Sequence, residues 1–474
     1  MSVRGWSFFS WFVPLFDGLI SWAWRFFALT AGPLEIVLPD DDPANFSLLK
    51  PLTPKQRAEQ EDAFIQGIDE ESICALASRH WNNRACTLQR SDRGSFNICF
   101  FMTLDDDDAK VVVRVPIPPA VHEPWERLQS EAFTMQYVST KTKIPLPQVY
   151  AFGQSTIRHG DTTEYPYMIL QHVEGQPLDK NLHEKPEPCR RQFYAQLVDI
   201  LVELQALEFS AAGSLMPRGA DPTEADIVGA FSMTMNDLQM YGAPSVRKKF
   251  QSVDQFYADQ YRMLWNTYLV PAEDLDRKTV QCELFALNEI KERSQLVYQT
   301  NETDSFVLSH PDPRHANILV DGNLQIQAII DWEWSATVPL SYFIPPPRII
   351  QSDLDVFLSV LATRKDHSPG HKHLSDVWCQ TDTARFLVVQ ILQAPLKLRS
   401  IYYNELFPKI STASEETAIA EFFKDQEQVS EMERRLHISE QYTAYLARNG
   451  IVDEDRRELK ELNILAQELL GETW

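Results

Sequence analysis

From about residue 54 onward the chain switches between stretches with helical and with strand periodicity. Thr53-Pro54 reads as an N-cap followed by proline at the first helical position. Phe64, Ile65, Ile68, Ile73 and Leu76 then form an apolar stripe that predicts helix to about Trp81. Between 86 and 116 the pattern becomes short apolar runs. CTLQR, NICFFMTL and KVVVRVP predict three strands, with SDRGSF and DDDDA as the turns between them. Residues 122–140 return to helical spacing at Trp125, Leu128, Ala132 and Tyr137, and IPLPQVYAFG and YPYMILQHV predict two more extended pieces. Three strands, a helix and two strands predict a five-stranded antiparallel sheet with one helix. From about 189 the pattern is mainly helical. FYAQLVDILVELQALEF (193–209) reads as a core helix, 217–300 as a helical insert, and 414–474 as charged amphipathic helices. One strand pair interrupts this half, ANILVD and QIQAIID, joined at Asp321-Gly322-Asn323. The expected class is α+β.

Residues 6–31, WSFFSWFVPLFDGLISWAWRFFALTA, stand apart. The stretch is long enough to span a bilayer, but Asp17 and Arg25 interrupt it and Pro14 would kink a helix there. It lacks a small-residue cleavage site, so it does not read as a secretory signal. A membrane anchor, an interfacial aromatic helix, a helix packed on the body and a mis-assigned start codon all stay open. Residues 40–55, rich in Pro, Asp and Ser, read as a linker.

Charge changes the picture more than composition does. Over 474 residues there are 44 Lys+Arg against 67 Asp+Glu, a formal net charge of −23. That balance excludes nucleic acid or an anionic membrane as the main partner, because a phosphate backbone calls for a basic surface. Six cysteines without a CxxC pair provide neither a disulfide scaffold nor zinc-ligand spacing, and point to a reducing, cytoplasmic setting.

The informative window is 307–335, VLSHPDPRHANILVDGNLQIQAIIDWEWS. His310-x-Asp312 is followed by Asn317 and, fourteen residues later, by Asp331. Phosphoryl transfer needs a carboxylate facing the acceptor hydroxyl, and a carbonyl oxygen and a second carboxylate to hold magnesium against the phosphates. A hairpin brings its two ends together, so Asp312, Asn317 and Asp331 are expected at one mouth.

This window resembles the aminoglycoside phosphotransferase and choline-kinase-like family, whose catalytic loop reads H-x-D-x-x-x-x-N and whose metal Asp lies in a D-W or D-F step. NILVD followed by IIDWEW is especially similar to its fungal members. Protein kinases write H-R-D, D-F-G and A-P-E instead. The resemblance covers about residues 60–400 and implies a two-lobed protein kinase-like fold. It divides the chain into an N-terminal segment and linker (1–50), a nucleotide-covering lobe (51–172), a lobe with the catalytic loop and insert (173–410) and C-terminal helices (411–474).

Carried onto this sequence, the resemblance makes Asp312 the catalytic base, His310 a support for its loop, and Asn317 and Asp331 magnesium ligands. The turn Arg93-Gly94-Ser95-Phe96-Asn97 would cover the phosphates, with the Ser95 hydroxyl and Asn97 beside them. On the third strand the family expects Lys; here Arg114 stands in, held by Glu131 of the helix, with Lys110 a poorer alternative. The adenine would meet the Gln171 carbonyl and the Val173 N–H. The implied cofactors are ATP and Mg2+, and the implied partner is a small-molecule hydroxyl acceptor. Asp221, Glu224 and Asp226 in the insert could face a cationic acceptor, though an acidic surface loop is the simpler reading. Two alternatives stay open: a catalytically weak kinase-like nucleotide-binding module, suggested by Arg114 and the imperfect glycine turn, and a protein kinase.

Overall fold

A computed structural model describes residues 53–104, 109–219, 224–242, 247–298, 305–343, 347–350, 353–380 and 383–451. The aromatic stretch 6–31, the linker up to residue 52, the acidic turn at 105–108, Asp221 and the residues from 452 onward lie outside those described. Among the described residues, no helix is long and apolar enough to cross a membrane.

The first lobe is a five-stranded antiparallel sheet, as the strand–helix order predicts. Its strands are β1 (Cys86–Arg93), β2 (Asn97–Leu104), β3 (Ala109–Pro116), β4 (Val149–Ser155) and β5 (Tyr165–Gln171), in the order β1-β2-β3-β5-β4. One face buries Ile98, Phe100, Met102, Val111, Val113, Val115 and Ile169. They pack against Phe64 of α1 (Pro54–Gln66) and Ile73 and Leu76 of α2 (Glu70–His80). Strand side chains alternate, so Cys99 and Arg114, which sit opposite each other on β2 and β3, turn to the other face. There the sheet meets α3 (Pro124–Lys141) and the second lobe.

Two boundaries differ from the sequence expectation. The helix expected up to Trp81 is two helices. Thr53 caps α1 through a reciprocal exchange with Gln56, α1 stops at Gly67, and Asp69 restarts the chain by accepting the Ser72 N–H at 3.1 Å. The turn after β1 is shorter than SDRGSF, because Ser91, Asp92 and Arg93 stay paired with Phe100, Cys99 and Ile98. β1 is an edge strand whose last residues are exposed, so its polar end has no apolar alternation to betray it.

The second lobe is organised around α4 (Glu187–Gln205), which buries Phe193, Tyr194, Leu197, Val198, Leu201 and Leu204. α6 (Val253–Thr267), α7 (Arg277–Tyr298) and the later helices Leu354–Arg364, Pro369–Gln380 and Thr383–Gln393 share its core, and α5 (Met233–Met240) lies beside α6. Helix Gln426–Arg448 packs on α7 through Met432 against Val280 and Leu284. Asp199 on α4 pairs with Arg364 and accepts from His371 Nε2 at 2.9 Å.

More strand is present in this lobe than one hairpin. β6 (Gln176–Pro177), β11 (Ile318–Val320) and β12 (Ile326–Ile329) form one small sheet. β7 (Glu208–Phe209), β10 (Phe306–Ser309) and β13 (Ala336–Pro339) form another. β8 (Ser214–Pro217) and β9 (Ala225–Val228) make a hairpin at the start of the insert, in the half read as mainly helical. Strands of two to four residues are too short to display a period of two.

Candidate active site

β10 ends at Ser309, and the chain then crosses to the start of β11 through His310–Asn317. His310 is buried and ties this loop together. Its Nε2–H donates to the Ile330 carbonyl at 3.0 Å, and its Nδ1 accepts the Asp312 N–H at 3.3 Å. Its ring stands edge-on to buried Trp332, with centroids 5.0 Å apart. Burial pushes its pKa down to about 4. A neutral ring also suits the geometry, since protonating Nδ1 would remove the acceptor of the Asp312 N–H.

Asn317 binds the same loop from its far end. Its side-chain N–H donates to the Asp312 carbonyl at 2.8 Å and lies 3.5 Å from the Asp312 carboxylate. Its own carbonyl accepts the Ile330 N–H at 2.9 Å, continuing the β11–β12 ladder by one step. The hairpin therefore sets Asn317 beside the residue that precedes Asp331. At Asp331 the chain leaves the strand with φ +67°, a backbone state that non-glycine residues seldom adopt. Trp334 repeats it at φ +67°, while the buried Trp332 donates its indole N–H to the Ile329 carbonyl at 2.9 Å. The Asp312 carboxylate is partly exposed and pairs with Arg314 Nε at 2.9 Å.

The cation on β3 is enclosed by carboxylates. Arg114, 7% exposed, pairs with Glu131 of α3, with Glu333 Oε2 at 2.9 Å, and reaches Asp331 Oδ1 at 3.5 Å. Burial opposes its charge, but Glu131, Glu333 and Asp331 outweigh that and hold its pKa above the ordinary value. Burial dominates at Glu131 itself and pushes its carboxyl up to about 7, against the pull of Arg114. Arg114 and Asp331 thus join the sheet lobe to the hairpin lobe. Lys110, on the same strand, is exposed and pairs with Glu174 at 2.8 Å.

The other upstream residues fall as follows. The turn after β1 is closed by Gly94 N–H donating to the Asn97 carbonyl at 2.8 Å, with Ser95 exposed at its tip. The Asn97 side chain points inward, donating to Glu333 Oε2 at 2.9 Å. Gln171 ends β5, exchanging bonds with Gln148, and half-buried Val173 follows where the chain leaves the sheet. Glu224 and Asp226 are exposed on the β8–β9 hairpin, and Asp226 accepts the N–H of Ile227.

Three residues of this site escaped the sequence reading. Arg127 donates to Glu333 Oε2 at 3.0 Å, and its guanidinium lies 3.3 Å from the centroid of the Trp334 ring. Burial pushes its pKa down to about 10. Asn236 on α5 lies behind it, 3.5 Å from Arg127. Arg127 sits one helical turn before Glu131, a spacing that places both on one face of α3. Glu333 stands inside the DWEW step, where no role was read for it.

A family model described as "Phosphotransferase enzyme family" matches residues 100–342, slightly more than half of the chain. Clavilactone A biosynthesis cluster protein Y of Ampulloclitocybe clavipes is 22% identical over 262 residues, covering 54% of this chain and 62% of that protein. Altered inheritance of mitochondria protein 9 of Meyerozyma guilliermondii is 26% identical over 92 residues, covering 19% of this chain and 15% of that protein. The chain thus spans less than two thirds of the curated relatives it matches. Among solved structures, Plasmodium vivax ethanolamine kinase is similar with TM-score 0.42 and 14% identity, over 77% of this chain and 97% of that one. A thermostable mutant of an aminoglycoside phosphotransferase, in complex with ADP and hygromycin B, gives 0.41 and 15%, over 77% and 98%. The matched family region contains the strand that carries Arg114, the loop of Asp312 and the hairpin end at Asp331, and this chain belongs to the phosphotransferase enzyme family.

Proposed function

We propose that this protein transfers the terminal phosphoryl group of ATP to a hydroxyl on a small molecule, with Mg2+ bound beside the phosphates. The observation that carries this reading is the hairpin. It sets Asn317 against the Asp312 loop on one side and against Ile330-Asp331 on the other, with Arg114 reaching Asp331 from the opposite lobe. Asp312 would orient the acceptor hydroxyl and take its proton late, since a hydroxyl is far too weak an acid to lose it early. Arg114 offers a planar fork that matches phosphate oxygens, and its pairing with Glu131 fixes the strand side of that fork.

The donor set suits magnesium, which prefers hard oxygen ligands. Asn317 commits its amide N–H to Asp312, which leaves its side-chain oxygen as the ligand end, and Asp331 offers a carboxylate. Asn317 and Asp331 would hold the ion, and its positive charge would offset that of the phosphates. His310, held neutral, positions the Asp312 loop and takes no part in proton transfer.

One observation favours the second reading, a nucleotide-binding module with weak turnover: the Arg114 guanidinium already meets three carboxylates. Wild type and Asp312→Ala separate the two. Across a library of hydroxyl-bearing metabolites, wild type should consume ATP with at least one acceptor, and Asp312→Ala should be slower by about 10²-fold or more. ATP binding without any Asp312-dependent turnover would leave the module as the better description.

A further inference from the structure

Three donors from three different elements meet on one oxygen. Asn97 Nδ2 at the start of β2, Arg114 NH2 on β3 and Arg127 NH2 on α3 lie 2.9, 2.9 and 3.0 Å from Glu333 Oε2. All four residues are buried. Glu333 comes from the other lobe, two residues beyond Asp331. The contact is widened on both sides. Phe96, in the turn before β2, stands edge-on to Trp334 with centroids 5.2 Å apart, and Arg127 covers the Trp334 ring.

We propose that Glu333 is a positioning residue: it fixes the direction of the Arg114 fork and fastens the turn 94–97 to the loop that carries Asp331, so that the parts meant for phosphate keep one register across the cleft. This inference rests on the functional reading above.

Chemistry favours positioning over simple adhesion. Buried ion pairs add little stability compared with apolar residues of similar volume, so this arrangement is a costly way merely to glue two lobes. A single carboxylate oxygen shared by an amide and two guanidinium groups does something apolar packing cannot: hydrogen bonds fix the directions of Asn97 and Arg127, and the ion pair at 2.9 Å holds Arg114 NH2 beside them. Glu131 alone would leave Arg114 tethered at one nitrogen and free to turn about it. Glu333 engages the other nitrogen, and that one also reaches Asp331. Asn97 follows the turn Gly94–Phe96 directly, so its bond to Glu333 holds that turn down over the same place.

The test compares two probes on the full-length protein, ATP with Mg2+ and adenosine, by titration calorimetry. Adenosine carries the base and sugar without phosphates. Removing a device that aligns phosphate contacts should weaken ATP and leave adenosine nearly unchanged, a split that loss of general packing does not produce. For Glu333→Ala, ATP affinity should fall about tenfold or more while adenosine affinity stays within about twofold. Glu333→Gln keeps an acceptor oxygen without the charge and should fall between wild type and Glu333→Ala. Should Glu333→Ala fail to fold, the same split read in Glu333→Gln decides the matter. Equal losses for both probes, or no loss for either, would overturn the positioning role. Asp331→Ala serves as the control for the underlying reading. If it abolishes Mg2+-dependent ATP binding while the Glu333 variants bind as wild type, only this inference fails. If wild type shows no Mg2+-dependent ATP binding, both fail together.

Discussion

At the scale of single residues, His310 shows how a buried imidazole can hold a loop together in its neutral state. It donates to the Ile330 carbonyl and accepts from the Asp312 N–H, so both ring nitrogens are committed in the neutral state. Its pKa of about 4 lies below the ordinary 6.5, because burial disfavours the charged ring. Between pH 6.5 and 4 the unfolded chain therefore binds a proton that the folded chain refuses. Stability from this group is complete above pH 6.5 and declines as pH falls through that window, by up to about 3 kcal/mol. Urea unfolding of wild type and His310→Gln at pH 7 and pH 4.5 checks this. Wild type should lose more stability than the variant on acidification, while parallel losses would exclude a neutral, buried His310. The motif His310, Asp312, Asn317 and Asp331 was legible as spacing, because the hairpin between its members had strand periodicity and a clear turn. Arg127 and Glu333 were not legible. Each is an ordinary charged residue in sequence, and only the packing of the two lobes brings Glu333, from beyond the hairpin, between Arg114 of β3 and Arg127 of α3.

Among the elements, success and failure of the sequence reading follow strand length. β2, β3 and β5 are seven or eight residues long with buried positions in alternation or in continuous runs, and the sheet they build was readable. β7, β8, β9, β10 and β13 span two to four residues and are specified by tertiary pairing. The β8–β9 hairpin illustrates this. Gly213, just before it, exchanges backbone bonds with Thr337 of β13 at 3.1 and 2.7 Å and so fixes the strand that follows the Asp331 loop. A side chain on Gly213 would strike the Val228 carbonyl and come within 2.6 Å of Ile227 Cγ2. Neither can withdraw easily, because Ser214 is paired with Val228 and Leu215 with Ile227. Gly213→Ala should therefore cost about 1–3 kcal/mol in urea unfolding. A variant as stable as wild type would show that the hairpin does not approach β13 so closely.

Among the described residues the two largest hydrophobic cores lie one behind the sheet with α1 and α2, the other shared by α3 and the second lobe. Two cores could melt separately, and what opposes this is a set of buried polar joints between lobes. Asn236 on α5 makes one of them through both ends of its amide. It accepts the His122 N–H at 2.9 Å and donates to the Ala120 carbonyl at 3.0 Å, clasping the segment between β3 and α3. Ser130 adds a bond from α3 to the Leu215 carbonyl at 2.8 Å. Asn236→Ala would strand the buried Ala120 carbonyl, at about 1–3 kcal/mol when unpaired, and the half-buried His122 N–H beside it. Wild type should show one calorimetric transition, and Asn236→Ala should lower its midpoint by a few degrees or split it, with the sheet lobe melting first. Asn236→Asp buries a carboxylate and sets an oxygen against the Ala120 carbonyl, so its loss should be at least as large as that of Asn236→Ala. An unchanged midpoint in both variants would mean that the lobes are joined elsewhere. The contacts across the cleft at Glu333 and Arg114 would then have to supply that cohesion, and the Glu333 variants, measured in the same calorimeter, would show the drop instead.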